Sequence, residues 1–370
     1  MKFEFNKRDV ESKIKSALST TAAGSVLSNV FLNLSGDELT IKAANTHSFV
    51  TMKCDVSGFE DGACYVSCDK FSKVLSSLPQ DGNISFSTEE NGGLLVATIK
   101  SLSKKVRYKL NCFKELGTFP EQADDSSITY ISVNSKEFID MLNQVVFAVS
   151  FEPARYVMSG VHFEKDGDNL VLVATDGRRL AYAKSSFSVA DFNPVTIPTE
   201  GLEFITKNFS QSGDAEIGFS EQTFFAKQSD RKISSSLIGE PFLNYKGVIP
   251  ASQTNEFKVD SLAVLEALKR MTVINDKTSK RVLFMLDKNT LSIMSKEAET
   301  GDVTEEIECE YSGEPITIAL NYAYIKQPLE AMDVAYVKIG FTAQMKALTL
   351  KADPQILNSF HIIMPMDPNK

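Results

Sequence analysis

The amino-acid sequence predicts an α+β protein built from repeated units of antiparallel strands and helices. Six amphipathic segments recur along the 370-residue chain at intervals of 61 to 65 residues, and short strand-like runs joined by turns fill the gaps. A fixed period of this kind is typical of a repeat architecture. We therefore expect every domain to pack its helices on one side of antiparallel sheets.

Each predicted helix carries apolar residues at spacings of three and four. Each also begins at Asn, Asp or Thr, whose side-chain oxygen can accept from first-turn amides. The predicted helices are Asn6–Ser19, Asp69–Leu78, Asn134–Val149, Thr199–Phe209, Asp260–Met271 and Asn321–Met332. In the third, Asn134 and Glu137 have capping-box spacing. Pro328 lies inside the sixth, where it removes a hydrogen bond and should kink or end the helix.

The gaps between helices fall into two alternating types, so the larger period is about 125 residues. Three domains of two half-units each follow, over 1–125, 126–252 and 253–370. The chain is thus a six-fold pseudo-repeat, with two helices on the inner side of the sheets in each domain.

Composition restricts the function classes. No apolar run reaches the roughly 18 residues of a membrane span, and the N-terminus is too polar for a secretory leader, so we expect a cytoplasmic protein without membrane partners. The five cysteines contain no CxxC pair, which favours reduced, buried thiols over zinc or disulfides. The net charge of -9 argues against simple nucleic-acid binding.

The segment 169–184 holds two apolar runs around Asp176-Gly177, which is a strong hairpin signal. One interpretation is a surface hairpin. The other follows from Arg178 and Arg179 directly after the turn, because two guanidinium groups beside an apolar strand could line a groove for a peptide or a phosphate. The hairpin alone leaves both interpretations open.

Two strand-like segments have opposite charge. Lys104–Lys109 carries four bases and no acid, whereas Asp302–Glu310 carries five acids and no base. Apolar residues alternate with the charges, as in half-buried strands. The charges either protect two solvated edges from pairing or attract each other between chains in a head-to-tail contact, which closes into rings or extends as filaments.

The repeat suggests a ring whose inner wall is made of helices. With neighbouring helices about 8–10 Å apart, six leave a hole of about 10 Å and twelve leave roughly 25–30 Å. A duplex about 20 Å wide fits only the second, so two copies are needed. The six helices carry eleven basic and ten acidic residues, a small positive excess over the rest of the chain, which suits weak, sequence-independent contact.

These features together resemble the β sliding clamp family of bacterial DNA polymerase III. The resemblance covers the whole chain and is carried by the motifs at 174–181 (ATDGRRLA), 155–160 (RYVMSG), 311–313 (YSG) and 362–366 (IIMPM). It implies a head-to-tail dimeric ring of DNA-clamp domains around duplex DNA. It also implies a processivity factor for replication that docks the polymerase III alpha subunit, the clamp loader, other polymerases and repair proteins through short linear peptides.

The resemblance assigns three sets of site residues and no cofactor or metal. The peptide pocket, with Arg178 and Arg179 as its polar rim, comprises Met158, Thr175, Gly177, Arg178, Arg179, Leu180, Leu243, Val248, Ile362, Ile363, Met364, Pro365 and Met366. The dimer contact sets Lys105, Arg107, Tyr108 and Leu110 against Val273, Ile274, Glu305 and Glu306. The DNA-facing residues are Lys7, Lys13, Lys73, Tyr156, Lys207 and Lys269.

Two alternatives compete with a clamp. An enzyme would need a catalytic motif, but the sequence has neither GxxxxGK[ST] nor GxSxG, and its three histidines lie in or beside strand patterns. Asp166 and Asp168 resemble a calcium loop without the downstream ligands, so a turn is favoured. Polymerase or nucleotidyltransferase labels would describe the complex that the chain serves. A ring that gathers peptides without DNA is the second alternative.

Overall fold

The computed structural model describes residues 1–22, 24–80, 82–117, 119–274, 280–297 and 301–367. These residues form two compact units. Unit 1 comprises 1–136 and 197–238, and unit 2 comprises 137–196 and 239–370. The units do not coincide with the predicted domains, because the second half of the predicted central domain belongs to unit 1. The boundaries near 125 and 252 therefore stay a prediction.

All six predicted helices are present. They are α1 Lys7–Leu18, α2 Cys68–Ser77, α3 Ser135–Val145, α4 Thr199–Asn208, α5 Ser261–Ile274 and α6 Tyr322–Met332. Asn6 and Asn321 cap α1 and α6 as predicted, each accepting from a first-turn amide. Short 3₁₀ turns lie at Val26–Ser28, Val146–Ala148, Pro153–Met158 and Tyr245–Val248.

Three helix details differ from the prediction. The cap of α2 is Ser67, whose side chain accepts from Lys70 N, so the helix begins one residue before Asp69. Thr199 is the first residue of α4, and Pro198 precedes it without a side-chain cap. Pro328 does not end α6, which continues for four residues beyond it to Met332. Pro328 costs one backbone bond, and the buried apolar face of α6 is retained.

The described residues form 25 strands. The first thirteen are β1 Lys2–Asn6, β2 Asn29–Ser35, β3 Glu38–Ala44, β4 Ser48–Asp55, β5 Ser57–Glu60, β6 Gly62–Ser67, β7 Asn83–Asn91, β8 Leu94–Ser101, β9 Arg107–Phe113, β10 Ile131–Asn134, β11 Gly160–Asp166, β12 Asn169–Thr175 and β13 Arg179–Ser188. The others are β14 Val195–Pro198, β15 Asp214–Phe219, β16 Thr223–Gln228, β17 Arg231–Ser236, β18 Asn255–Asp260, β19 Arg281–Asp287, β20 Thr290–Glu297, β21 Gly301–Glu310, β22 Ile316–Asn321, β23 Tyr336–Phe341, β24 Leu348–Asp353 and β25 Asn358–Ile363.

Each unit is organised on one continuous sheet. In unit 1 the order is β10-β15-β16-β17-β4-β3-β2-β6-β9-β8-β7-β1-β5. The second sheet runs β14-β11-β12-β13-β25-β24-β23-β18-β21-β20-β19-β22. Neighbouring strands pair antiparallel, and the helices pack on the strands, as α1 does on β3 and β4 and α5 on β20 and β21. The predicted α+β class is confirmed.

One ladder in each sheet joins parts of the chain that are far apart in sequence. In unit 1, β4 pairs with β17 from Met52↔Arg231 to Ser48↔Ser235. In unit 2, β13 pairs with β25 from Arg179↔Ile363 to Lys184↔Asn358. Each ladder connects a half-unit of one predicted domain with a half-unit of the next. This explains why the compact units cut across the predicted domains.

Apolar residues from helix and sheet faces fill the cores. In unit 2 one cluster contains Leu268 of α5, Phe284, Ile325 and Ile363, all at most 1% exposed. All five cysteines are buried and free, as predicted. No helix within the described ranges is long and apolar enough to span a membrane.

Candidate functional site

Asp176 organises the turn between β12 and β13 in unit 2. Its Oδ1 accepts from the backbone N–H groups of Arg178 and Arg179 at 2.9 and 3.1 Å. The turn needs a glycine at its tip, since Gly177 has φ of +85° and a Cβ there would lie 3.0 Å from the Arg155 guanidinium. The predicted hairpin is thus fixed by its Asp-Gly pair.

Arg179 does not form the pocket rim, and the prediction that it does is wrong. Its side chain is 8% exposed and points inward, where Nε binds Asp176 Oδ2 at 3.0 Å and Nη2 binds the Phe147 carbonyl at 2.6 Å. Nη1 donates to Gln327 of α6, and the guanidinium lies over the Tyr324 ring at 4.7 Å. Burial lowers the pKa of Arg179, while Asp176 acts in the opposite direction.

Arg178 is exposed, and its backbone serves the C-terminal strand. Its carbonyl accepts from Met364 N at 2.9 Å, directly after the β13–β25 ladder. Of the two arginines that the sequence placed at the rim, only Arg178 reaches the surface. Arg178 belongs to the turn, whereas Arg179 is the first residue of β13. The Arg179 guanidinium is held in the interior by Asp176 and the Phe147 carbonyl.

An apolar cluster forms beside this ladder. Leu180 and Ile362 are opposite each other on β13 and β25, and both pack with Tyr245. Three partly buried aromatic rings surround them, and Tyr182 stacks on Phe360 with ring centroids 4.6 Å apart. Leu180 and Ile362 are each 3% exposed, so in the predicted pocket they would form the floor.

Exposed apolar side chains adjoin this floor. Leu243 and Val248 flank Tyr245 in sequence and are 40% and 56% exposed, and Met364 is 46% exposed. Met158 lies beside the turn, since its terminal methyl is 3.9 Å from where a Cβ of Gly177 would be. Large apolar groups of this kind suit an adaptable contact with a peptide.

The remaining predicted pocket residues have structural roles. Ile363 is fully buried in the unit 2 core, because it points to the opposite face from Ile362, so its assignment to the pocket wall is wrong. Thr175 is 6% exposed and its hydroxyl donates to the Arg179 carbonyl at 2.6 Å. After Pro365, Met366 N binds the Ala319 carbonyl at 2.8 Å. The end of the predicted tail, 368–370, lies outside the described residues.

Glu164 on β11 is a residue that the sequence analysis missed. Its carboxylate accepts from the Tyr245 hydroxyl at 2.5 Å and pairs with Lys246 at 3.0 Å, so it fixes the 3₁₀ turn between Leu243 and Val248. Burial raises the pKa of Glu164, but the hydrogen bonds from Tyr245 and Lys246 outweigh it and hold the pKa below its usual value. Nearby, His162 stacks on Phe242 at 4.6 Å. The sequence offered little signal for Glu164, because its strand also carries His162, Lys165 and Asp166.

Comparison with known proteins identifies the family. Three family models match successive parts of the chain: the N-terminal, central and C-terminal domains of the DNA polymerase III beta subunit, over residues 1–116, 132–243 and 246–367. The beta sliding clamp of Treponema pallidum is 33% identical over 362 residues, which cover 96% of this chain and 95% of the relative. The chain belongs to the DNA polymerase III beta subunit family, the beta sliding clamps. The resemblance inferred from the sequence is confirmed.

Solved clamps have the same fold. The structure of the DNA polymerase III beta subunit from Borrelia burgdorferi, in complex with a natural product, has a TM-score of 0.91 at 22% identity and covers 100% of both chains. The beta subunit from Thermotoga maritima has a TM-score of 0.88 at 22% identity over 99% of both chains. Three successive clamp domains therefore describe the chain.

Two strands inside the sheets of this clamp chain are paired along only part of one edge within the described residues. In unit 1, β9 pairs with β8 from Arg107 to Cys112, but on its other side β6 meets only Cys112 and Phe113. In unit 2, β21 pairs with β20 over 301–308, but β18 meets only Cys309 and Glu310.

The predicted interface residues lie on or beside these two edges. Lys105, just before β9, and Arg107, its first residue, are exposed. Tyr108 and Leu110 on β9 are half-buried. On β21, Glu306 is exposed, whereas Glu305 points to the other face and binds Arg270 of α5 through two hydrogen bonds of 2.6 and 2.5 Å. Glu305 therefore already has an ion-pair partner within its own chain. Val273, near the end of α5, is 80% exposed, and Ile274 follows it.

The predicted DNA-facing lysines separate into two groups. Lys7 is fully buried, and its Nζ donates to the Leu78 carbonyl at the end of α2 at 2.6 Å, so the assignment of Lys7 to a DNA surface is wrong. Lys7 thus supplies a hydrogen-bond donor to a carbonyl at the end of α2, where carbonyls have no partner within the helix. Lys13 is 9% exposed and pairs with Asp230.

The other four predicted DNA-facing residues are exposed. Lys73 and Lys207, in unit 1, form helix-surface pairs with Asp69 and Glu203 four residues earlier. Lys269 and Tyr156, in unit 2, are exposed, and Tyr156 is 47% exposed. These residues remain available to a ligand.

The acids and histidines that could suggest a catalytic or metal site lie in turns and packed strands. In the part of the chain that is described, no three His, Cys, Asp or Glu side chains are grouped as metal ligands. Asp166 pairs with Lys184 at 2.7 Å and Asp168 lies in the β11–β12 turn. His162 and His361 are buried among packed side chains.

Proposed function

We propose that this clamp chain forms a head-to-tail homodimeric ring around duplex DNA and tethers the replicative polymerase for processive replication. We propose further that short linear peptides of its partners bind the apolar pocket of unit 2. The partners are the polymerase III alpha subunit, the clamp loader, other polymerases and repair proteins.

The internal repeat carries the proposal. β4, β13 and β21 are each the third strand of an odd half-unit, and β17, β25 and β9 are each the third strand of an even half-unit. Two of the three possible ladders exist within the chain, β4 with β17 and β13 with β25, and both are antiparallel. β21 and β9 remain, each with an open edge. The missing ladder is supplied by a second copy, and two such ladders close a ring.

Charge supports this pairing. The open edge of β9 presents Arg107 and Lys109, and that of β21 presents Glu306 and Glu308. Opposite charges across a ladder favour pairing, and like charges disfavour it. These charges therefore favour pairing of β9 with β21 over pairing of β9 with β9 or of β21 with β21.

The DNA contact is electrostatic and independent of sequence. The exposed residues Lys73, Lys207, Lys269 and Tyr156 carry it, and Lys7 is not part of it. Few contacts give a weak and salt-sensitive interaction, which lets a ring slide. Retention on DNA then depends on topology and not on affinity.

The pocket is a docking site and the chain has no catalytic role of its own. Polymerase activity belongs to the complex that the clamp serves, in the cytoplasm. Leu180 and Ile362 form a fixed floor, and Leu243, Val248 and Met364 are exposed beside it. Flexible apolar walls of this kind accept several peptide sequences.

Topology provides the test. The protein is loaded on nicked circular duplex DNA with the clamp loader of the same organism, and the fraction retained during gel filtration is measured before and after the circle is linearised. We expect retention on the circle and loss on the linear molecule. Retention that survives linearisation would indicate ordinary DNA binding, and no retention on the circle would favour a scaffold that only gathers peptides.

A further inference from the structure

A row of three lysines crosses the sheet of unit 2 next to the apolar pocket. Lys258 on β18 is directly opposite Lys338 on β23, and Lys338 is directly opposite Lys351 on β24. Side chains directly opposite each other on antiparallel strands lie about 4.5–5.5 Å apart at Cβ, and like charges there are destabilising. We call Lys258, Lys338 and Lys351 the lysine row.

The chain neutralises this row only in part. Asp353 binds Lys258 at 3.0 Å and Lys338 at 3.4 Å, and Glu310 lies 3.7 Å from Lys258. Both acids therefore serve the two lysines farther from the pocket. Lys351 is exposed and has no ion pair with any described residue. The end of the row nearest to the pocket thus carries an uncompensated positive charge.

A cavity of about 310 Å³ lies over this end of the row. Its floor includes Lys338, Lys351 and Gly340, and its outer wall is the chain segment 249–253. Gln253 fixes that segment, because its Nε2 binds Thr349 Oγ1 at 2.9 Å and its Oε1 accepts from Thr342 at 3.1 Å. Gly340 makes room for it, since a Cβ there would lie 3.0 Å from the Gln253 side chain.

The cavity is continuous with the pocket through shared residues. Phe360 and Ile249 line the cavity and also pack against the apolar cluster of Leu180, Tyr245 and Ile362. A peptide anchored on that cluster can thus extend over Phe360 to Lys351. Glu256 lines the same cavity and is exposed, so it opposes a second negative charge.

We propose that this cavity is an anion subsite of the docking site, which binds a carboxylate side chain of a partner peptide next to its apolar anchors. Lys351 is the primary contact and Lys338 supports it. Because Glu256 repels further negative charge, the subsite accepts a short acidic segment of the peptide but disfavours a long acidic run. This inference rests on the proposed docking function, and it adds the chemical class that the peptide must carry beside its anchors.

The probe is obtained from a partner of the same organism. Overlapping 15-residue segments of its polymerase III alpha subunit are arrayed, and the tightest binder whose binding is lost in Met364→Asp is selected. That peptide is extended at either end by two Asp, two Ala or two Lys residues. Fluorescence anisotropy then measures the dissociation constants for the wild-type protein and its variants at low salt.

We expect the Asp extension at one end to bind roughly fivefold tighter than the Ala extension, and the Lys extension to bind more weakly. Lys351→Gln should remove this preference and leave the affinity for the Ala extension unchanged. Glu256→Gln should increase the preference about twofold. Lys288→Gln, at an exposed lysine outside the cavity, is the matched control and should behave as wild type.

Two results would overturn the proposal: equal affinity for the Asp and Ala extensions at both ends, or a preference that persists in Lys351→Gln. These differ from failure of the docking function itself. If no arrayed segment binds, or if binding is insensitive to Met364→Asp, the apolar pocket is not the docking site and the subsite is refuted with it.

Discussion

Arg179 Nε and Asp176 Oδ2 form an ion pair at 3.0 Å in the interior of unit 2, with side chains only 8% and 14% exposed. Asp176 thereby connects the tip of the β12–β13 hairpin to the start of β13. The same guanidinium reaches Phe147 and Gln327, so the hairpin, the 3₁₀ turn after α3 and α6 meet at a single side chain.

Removal of Asp176 should therefore destabilise the protein. Asp176→Ala leaves the Arg179 guanidinium buried without its carboxylate, which costs about 3–5 kcal/mol when one partner of a buried pair is lost. Chemical denaturation measures the free energy of unfolding. Asp168→Ala, at a side chain that is 84% exposed, is the control and should change it by less than about 0.5 kcal/mol. Equal stability of the two variants would contradict this role.

His361 should make stability depend on pH. Burial lowers its pKa in the folded protein from 6.5 to about 3. Between these values the unfolded chain binds a proton and the folded protein does not. The free energy of unfolding should then fall as pH decreases from 6.5, by at most about 1.4 kcal/mol per pH unit from this group. His361→Gln should flatten the profile between pH 6.5 and 4.5, and an unchanged slope would contradict the assignment.

The sequence predicted the elements more reliably than the orientation of their side chains. Periodicity located all six helices, and the Asp176-Gly177 pair located the hairpin, because both signals are local. The burial of Arg179 depends on Gln327 of α6, which is 148 residues away. Similarly, the sequence pattern predicted Lys7 on the surface of an amphipathic helix. Its burial depends on the Leu78 carbonyl at the end of α2, which is 71 residues away. Glu164 was missed because its partners in the turn at 245–248 are distant in sequence.

Met364 should contribute strongly to peptide binding and little to folding. Its side chain is 46% exposed beside the pocket floor, so Met364→Asp places a charge where a partner's apolar anchor would pack. We expect at least a tenfold loss of affinity for the selected alpha-subunit peptide, with the dimer mass unchanged. Phe59→Asp is the matched control, since Phe59 is a large apolar side chain that is 60% exposed on β5 of unit 1. Deletion of 364–370 should likewise abolish peptide binding without dissociating the ring.

The lysines should separate into DNA-binding and structural residues. Lys207→Gln and Lys269→Gln should each weaken binding to duplex DNA and reduce the salt dependence of the binding constant by about one phosphate contact. Lys7→Met should leave the salt dependence unchanged but lower the free energy of unfolding, because the Leu78 carbonyl loses its donor and Glu11 keeps only Lys15 as an ion-pair partner. Salt titrations of binding and denaturation curves distinguish the two groups. If the Lys7→Met variant is stably folded and still binds duplex DNA more weakly, the structural role assigned to Lys7 is contradicted.

The two open edges make the sharpest prediction about assembly. Because Arg107 and Glu306 are exposed on β9 and β21, Arg107→Glu should place like charges across the proposed ladder and shift the protein from about twice the 40.8 kDa chain mass towards monomer. Light scattering at micromolar concentration measures this mass. Lys70→Glu, an equal charge change on the exposed face of α2, should leave it unchanged.

A compensating exchange tests whether the two edges meet each other. Glu306→Arg alone should also weaken the dimer, whereas Arg107→Glu combined with Glu306→Arg restores opposite charges at both contacts of a head-to-tail ring. Recovery of the dimer mass in the double variant would connect β9 of one copy to β21 of the other. If instead the single variants remain dimeric, or if the double variant has no higher mass in solution than either single variant, the ladder between β9 and β21 is not the contact that closes the ring.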